Sequence, residues 1–316
     1  MELLFNRFML QIFFGLTPFI FITLLGFLFG KFKIFNLKHA KILNLFLFYI
    51  AIPALIIKLI ALSDFDQIDV NQITSYLIMQ SVCGIFAFLI TSKYFKRPIA
   101  ESIIWALTVA LSNHVTLILP ITEIFFQKDI VTQVASIILM DSIILISVIA
   151  FFLELSTKRN VKIIIFIRNI ILNPMILSIL IGVFLFVFNF DIEGTPIEYT
   201  LSTLALCVSP VGLFAIGIIL SFYTKNVINK LTFSISVLKL IISPLILLLI
   251  GLVIFDSGIP KEIPGAFLVS VAPCGLSALA FCAAYNVSPE NIIKAIFIST
   301  FASVATIFFA IQYLTT

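Results

Sequence analysis

The sequence predicts an all-α membrane protein: ten transmembrane helices in a five-plus-five inverted repeat, with the fourth and ninth helices broken and crossed. Three observations carry this. Hydrophobic residues make up 62% of the 316-residue chain and charged residues only 11%, against roughly 25% charged in a soluble domain. The apolar residues gather into ten stretches, and a helix needs about 20 such residues to cross the hydrocarbon core. Glycine and proline landmarks of the first five stretches return in the last five. A chain this apolar cannot present a soluble surface, and its short polar connections leave no room for a separate soluble domain. The formal net charge of +4 is therefore no sign of a nucleic-acid partner.

Taken in order, the expected spans are Met9–Gly30, Lys41–Ala61, Ile73–Thr91, Ile99–Phe126 and Val131–Leu155 in the first half. The second half holds Ile163–Phe188, Leu201–Phe222, Leu231–Phe255, Ile263–Tyr285 and Asn291–Tyr313. The first repeat is residues 1–157 and the second 158–316. Connections alternate in charge. Lys31, Lys33, Lys38 and Lys41 follow the first span, and Lys93, Lys96 and Arg97 the third. Lys158, Arg159, Lys162 and Arg168 follow the fifth, and Lys225 and Lys230 the seventh. The intervening connections carry Asp64, Asp66 and Asp69, then Asp191, Glu193 and Glu198. Basic loops stay in the cytoplasm, so an even number of spans puts both termini on the other side. No cleavable leader is expected: the first span outruns the 7–15 apolar residues of a signal peptide. The short basic loops fit a bacterial inner membrane.

The repeat rests on aligned landmarks. Pro18 and Gly26 of the first span recur at the same offset as Pro174 and Gly182 of the sixth, and Pro53 of the second pairs with Pro210 of the seventh. Five spans per half is an odd number, so the second copy enters the membrane inverted. Near-equivalent inverted halves can rock about a midplane site, which is a transporter's architecture.

The fourth span reads ALSNHVTLILPITEIFF, with Ser112, Asn113, His114 and Thr116 ahead of Pro120. The ninth reads IPGAFLVSVAPCGLSALAFCAAY, with Ser270, Pro273, Cys274, Gly275 and Ser277 at mid-span. Proline removes a backbone donor and clashes with the preceding turn, so a break is expected at each proline. Freed backbone groups in hydrocarbon must line a cavity or be buried in protein. Two breaks at matching depth point to crossed helices at the midplane, whose half-helix N-termini favour an anion. Asn113 can satisfy exposed backbone or donate to a carboxylate. His114, the one histidine in a span, can titrate near neutral pH or serve as a satisfied core residue; His39 lies in a basic loop.

Asp141 is the acid nearest the middle of a span, about 10 residues or ~15 Å into the fifth helix. Intramembrane acids are costly and face an interior partner or pathway. Lys239 of the eighth span can reach inward towards Asp141, making the two an ion- or proton-coupling pair, or it can snorkel to the interface. The four cysteines (Cys83, Cys207, Cys274 and Cys282) lie in spans without CxxC spacing, as small packing residues do. No metal site or cofactor is expected, and coupling is left open between H+, Na+ and neither.

The chain resembles the auxin efflux carrier family. The residues that carry the resemblance are TPFIFITLLGFLFGK, LFYIAIPAL and the SN…LP pair of the fourth span. In the second half they are NPMILSILIG, SPVGLFAIGIIL, LKLIISPLI and VAPCGLSALAFCAAYNVSPE. The resemblance implies a mobile core holding the crossed fourth and ninth helices, with the first, second, sixth and seventh helices as a scaffold, often dimeric. Asn113 matches the family's crossover asparagine. Two departures stand at the expected site. Family members commonly have a glycine-bearing NTG…GLP run where this chain has Asn113-His114-Val115, and often an asparagine after the ninth-span proline where it has Cys274.

The expected function is a secondary transporter for a small organic anion, a carboxylate, working by alternating access of an elevator-like core. Substrate contacts are assigned to Ser112, Asn113, His114, Pro120, Ser270, Pro273, Cys274 and Ser277, and coupling to Asp141 and Lys239. Two alternatives stand beside it. One is a sodium-coupled carrier resembling the bile-acid symporters; the other, an intramembrane enzyme, would need clustered catalytic groups, and the sequence has no HExxH.

Overall fold

A computed structural model describes residues 2–62, 69–156, 173–223, 227–254 and 261–315. Among these, every regular element is helical, and the one β-type pairing is an isolated bridge. The helices are α1 (Glu2–Lys31), α2 (Leu37–Phe46), α3 (Ile52–Ala61), α4 (Val70–Leu89), α5 (Ile99–Ala110), α6 (Leu119–Phe125), α7 (Lys128–Met140) and α8 (Ile146–Ser156). They continue as α9 (Pro174–Val187), α10 (Pro196–Leu206), α11 (Val208–Ser221), α12 (Lys230–Val237), α13 (Ser243–Ile254), α14 (Pro264–Ser270), α15 (Ala278–Ala284) and α16 (Glu290–Thr315).

Among the described residues, seven segments are long and apolar enough to cross a membrane: Phe14–Lys31, Leu37–Ala61, Val70–Tyr94, Lys128–Ser156, Pro196–Ser221, Lys230–Val253 and Glu290–Thr315. The expected fourth span is instead two short pieces, Ile99–Ala110 and His114–Phe125. The expected ninth is α14 and α15, separated by Val271–Ser277. The sixth begins with Pro174–Val187 among the described residues. Asp64, Asp66, Lys158, Arg159, Lys162, Arg168 and Lys225, together with the expected repeat boundary at 157–158, lie outside the described residues.

Several spans pass through a π turn, and three of these turns share a cause. Leu47–Ala51 precedes Pro53, His114–Ile118 precedes Pro120, and Leu238–Ile242 precedes Pro244. A helical proline clashes with the carbonyl four residues back, here that of Tyr49, Thr116 or Leu240, the middle residue of each turn. Widening the turn by one residue relieves the clash without ending the helix. The sequence-based expectation of a break at Pro120 is therefore corrected. Pro120 sits in the first turn of α6, where proline is tolerated, and the chain leaves the helix earlier, at Leu111, whose backbone is extended at φ −78, ψ 122. Ser112 and Asn113 follow, residue types whose side chains compete for backbone hydrogen bonds.

The described chain falls into two compact units. One comprises Met1–Phe21, Asp69–Ile137 and Tyr223–Thr316, the other Ile22–Ile68 and Ile138–Phe222. In the second, α1 and α11 touch backbone to backbone: a side chain on Gly26 would overlap the Phe214 carbonyl, and one on Gly217 the Thr23 carbonyl. Small residues permit such approach in hydrocarbon, where packing rather than water drives association. Phe29, Phe35 and Phe214 close that contact edge to face. Ile56 and Ile60 pack on Met175 and Ile179, joining α3 to α9. In the first unit α4 lies on α5, where a Cβ added to Gly84 would stand at ordinary contact distance, 3.6 Å, from Ala110, and Trp105 is fully buried.

Candidate functional site

Within the first unit the two broken spans bind each other. Asn113 N–H donates to the Pro273 carbonyl at 2.9 Å, and Gly275 N–H donates to Thr108 at 3.2 Å. Ser112 and Cys274 form the antiparallel bridge between them. Gly275 is required by this closeness: a Cβ there would stand 2.5 Å from the Leu111 carbonyl oxygen. Backbone groups released by one break are thus satisfied by the other, which is how irregular backbone survives at membrane depth.

Side chains complete the brace. Ser112 Oγ donates to the Val269 carbonyl at 2.9 Å, and Thr306 Oγ1 of α16 donates to Val271 at 2.8 Å. Gln80 Nε2 of α4 donates to Ala110 at 3.3 Å, while Cys274 N–H reaches Ser299 Oγ at 3.2 Å. The last carbonyls of α5 and α14 are therefore largely held by named protein donors.

Donors then accumulate at one point. Lys239, 1% exposed, donates from Nζ to Ser112 Oγ at 2.6 Å. The next residue, Asn113, accepts from the Thr116 hydroxyl through Oδ1, and its buried Nδ2 has no hydrogen-bond partner. An unsatisfied buried donor calls for an explanation, and a bound acceptor is one. The open amide N–H2 of Asn113, next in sequence to the hydroxyl that holds the Lys239 ammonium, suits a ligand that brings an oxygen acceptor.

The expected residues distribute as follows. Ser112, Asn113, His114, Pro273 and Cys274 are all buried at the crossing. Ser270 is buried, but its hydroxyl turns back to the Phe267 carbonyl at 2.7 Å. Ser277 is half-buried at the start of α15 and makes no side-chain cap. Pro120 is half-buried in α6. Asp141 is buried and opens the π turn Asp141–Leu145, in the second unit, whereas Lys239 belongs to the first. His39 is exposed and closes a capping box with Asn36 at the start of α2.

Sequence reasoning missed Thr108, Gln80, Ser299 and Thr306. One signal was available: Gln72, Ser75 and Gln80, all buried, place polar groups along α4 inside an apolar span, and intramembrane polar groups face the protein interior. Among the described residues, no three His, Cys, Asp or Glu side chains gather as a metal site.

Apolar spans surrounding a buried, cross-braced double break define a multi-pass membrane protein. The sequence profile of the membrane transport protein family matches residues 11–311, nearly the whole chain. The chain belongs to this family, the auxin efflux carriers. No curated protein matches it.

Proposed function

We propose that the protein is a secondary transporter that carries a small organic anion, a carboxylate, across the membrane by alternating access. The observation that carries this is the buried Asn113 Nδ2, unpartnered beside an ammonium-bearing residue pair at the crossed breaks. A buried amide donor without an acceptor favours a ligand that brings one, and a nearby ammonium favours negative charge on it. Ser112, Asn113, His114, Pro120, Ser270, Pro273, Cys274 and Ser277 bound the cargo in this proposal.

The proposed architecture is ten spans in two inverted repeats of five, with the third to fifth and eighth to tenth spans as the moving core. The compact unit that contains the crossing holds α4, α5, α6 and α12 to α16, in keeping with this assignment, but it also takes in Met1–Phe21 of the first span and leaves α8 of the fifth to the other unit. The first, second, sixth and seventh spans form the scaffold, through which two copies pair. The charge pattern favours the bacterial inner membrane with both termini outside. Asp141 and Lys239 are the proposed coupling groups.

The test is flux into proteoliposomes. A panel of radiolabelled mono- and dicarboxylates, with and without pH and sodium gradients, should show saturable uptake of at least one anion. Uptake that requires sodium would favour the symporter-like alternative. Chemical conversion with no flux of any anion would sink the transport function.

A further inference from the structure

The first turn of α14 is held by side chains from two other spans. Pro264 has no N–H to satisfy, and the next two are taken by glutamines. Gly265 N–H donates to Gln133 Oε1 of α7 at 3.1 Å, and Ala266 N–H to Gln72 Oε1 of α4 at 3.2 Å. Gly265 allows this approach, since a Cβ there would stand 2.6 Å from that of Gln133 and 3.1 Å from Gln72 Oε1. Only the oxygen of an amide accepts, so the bond from Ala266 also settles which way the Gln72 amide is turned. Its Nε2 remains a donor, buried and with no hydrogen-bond partner. One turn along the same face, the buried Ser75 hydroxyl has no partner either. Other buried hydroxyls in spans behave differently: Thr91, Thr108 and Thr122 all donate to the carbonyl four residues back.

We propose that Gln72 and Ser75 hold an internal water molecule, the first step of a hydrated line that runs along α4 to the crossing. Leaving a buried amide donor and a buried hydroxyl bare costs more than fixing one water, which brings both acceptors and donors. An uncharged oxygen is what fits. Gln72 Oε1 is committed to Ala266, so the pair offers no set of acceptors to a cation, and neither group carries the charge that an anion out of water needs. The line has two ends. Val70 and Asn71, at the start of α4, are exposed. On the buried face of the same helix, eight residues or ~12 Å beyond Gln72, Gln80 donates to the Ala110 carbonyl at the end of α5. Solvent thereby reaches the crossing from within its own unit, starting from the end of α4 that the proposed topology places outside.

The experiment is X-ray radiolysis of the full-length protein in lipid nanodiscs, which generates hydroxyl radicals from bound water; oxidised residues are read by mass spectrometry. Tyr76 lies four residues from Gln72 and Met79 four from Ser75, so these reactive side chains neighbour the two groups on the helix surface. Each is only 1% exposed, and both should oxidise. After rapid mixing with oxygen-18 water, the added oxygen should be oxygen-18. The double variant Gln72→Leu with Ser75→Ala should lose the label at both residues. Ser75→Ala alone should reduce it, and this milder change serves if the double variant fails to fold. Unlabelled Tyr76 and Met79 in the wild type overturn the proposal, with Ser75 then turned back on Asn71 in a dry core. Label unchanged in the folded variants overturns the assignment to Gln72 and Ser75. Retention of oxygen-16 marks a trapped water and overturns the line to solvent. None of these results bears on whether an anion is carried, so this proposal and the transport function fail separately.

Discussion

Lys239 Nζ lies 2.6 Å from Ser112 Oγ, although 127 residues separate them in the chain. The contact ties a helix of the second half to the break in the fourth span. It gives a lysine that is 1% exposed in an apolar segment one acceptor, a hydroxyl that is itself anchored to Val269. Removing the anchor should therefore be felt at the lysine. In Ser112→Ala, the protein should remain inserted and lose anion flux by about tenfold, as expected for a displaced charged donor. Restoration by Ser112→Thr would tie the loss to the hydroxyl.

Asn113→Ala removes the open amide together with the acceptor for Thr116. Flux in proteoliposomes should fall by about tenfold or more, with a monodisperse peak on size-exclusion chromatography. Ser277→Ala should cost less, because that hydroxyl is one of several donors near the ninth-span break. Normal binding and flux in folded Asn113→Ala would make the crossing purely structural.

Gly275→Ala tests the brace itself. The added methyl would press on the Leu111 carbonyl, and overpacking of this kind costs about 1–3 kcal/mol. The melting temperature in detergent should drop. Gly194, with nothing within 4 Å but a φ of +70, offers a contrast: Gly194→Ala should cost only the backbone strain, on the order of 1 kcal/mol.

How much of this was legible beforehand depends on the distance over which each feature is decided. The all-helical, apolar character and the irregular segments around Ser112, Asn113 and Pro273 are local in the sequence and could be read there, and seven of the spans are long and apolar enough among the described residues. The position of the first break was misjudged because a proline speaks only for the turn before it. At Pro120 that turn widens around Thr116, and the helix continues into α6. The roles of Gln80, Ser299 and Thr306 could not be read locally. Their acceptors or donors lie 30, 25 and 35 residues away and are chosen by packing. For Lys239 the sequence left two readings, inward towards Asp141 or snorkelling to the interface; it is buried, and Ser112 as an acceptor was not foreseen.

Asp141 provides a test of coupling. In lipid, a carboxylate is costly to bury, and Asp141→Asn keeps the shape while removing the titration. For a proton-coupled carrier, the variant should bind substrate normally and lose the response of flux to a pH gradient. Wild-type flux indifferent to pH gradients would end the proton-coupling role of Asp141.

The proposed orientation, with both termini outside, can be checked by labelling. In intact cells, a membrane-impermeant thiol reagent should modify a cysteine replacing Thr316 and spare one replacing Lys33. The opposite pattern would reverse the proposed topology.

The cross-brace also sets a schedule for biogenesis. Ser112 and its acceptor Val269 are 157 residues apart, and chains grow at about 5–20 residues per second, so roughly 8–30 s pass between them on the ribosome. Throughout that interval the nascent fourth span carries the Thr108 carbonyl and the Asn113 N–H, whose partners Gly275 and Pro273 do not yet exist. It must wait where water or an insertase can cover them, and it cannot settle in lipid until the ninth span arrives. A chain truncated after residue 254 should therefore be cleared by membrane proteases far faster than the full-length protein, as a pulse-chase would measure.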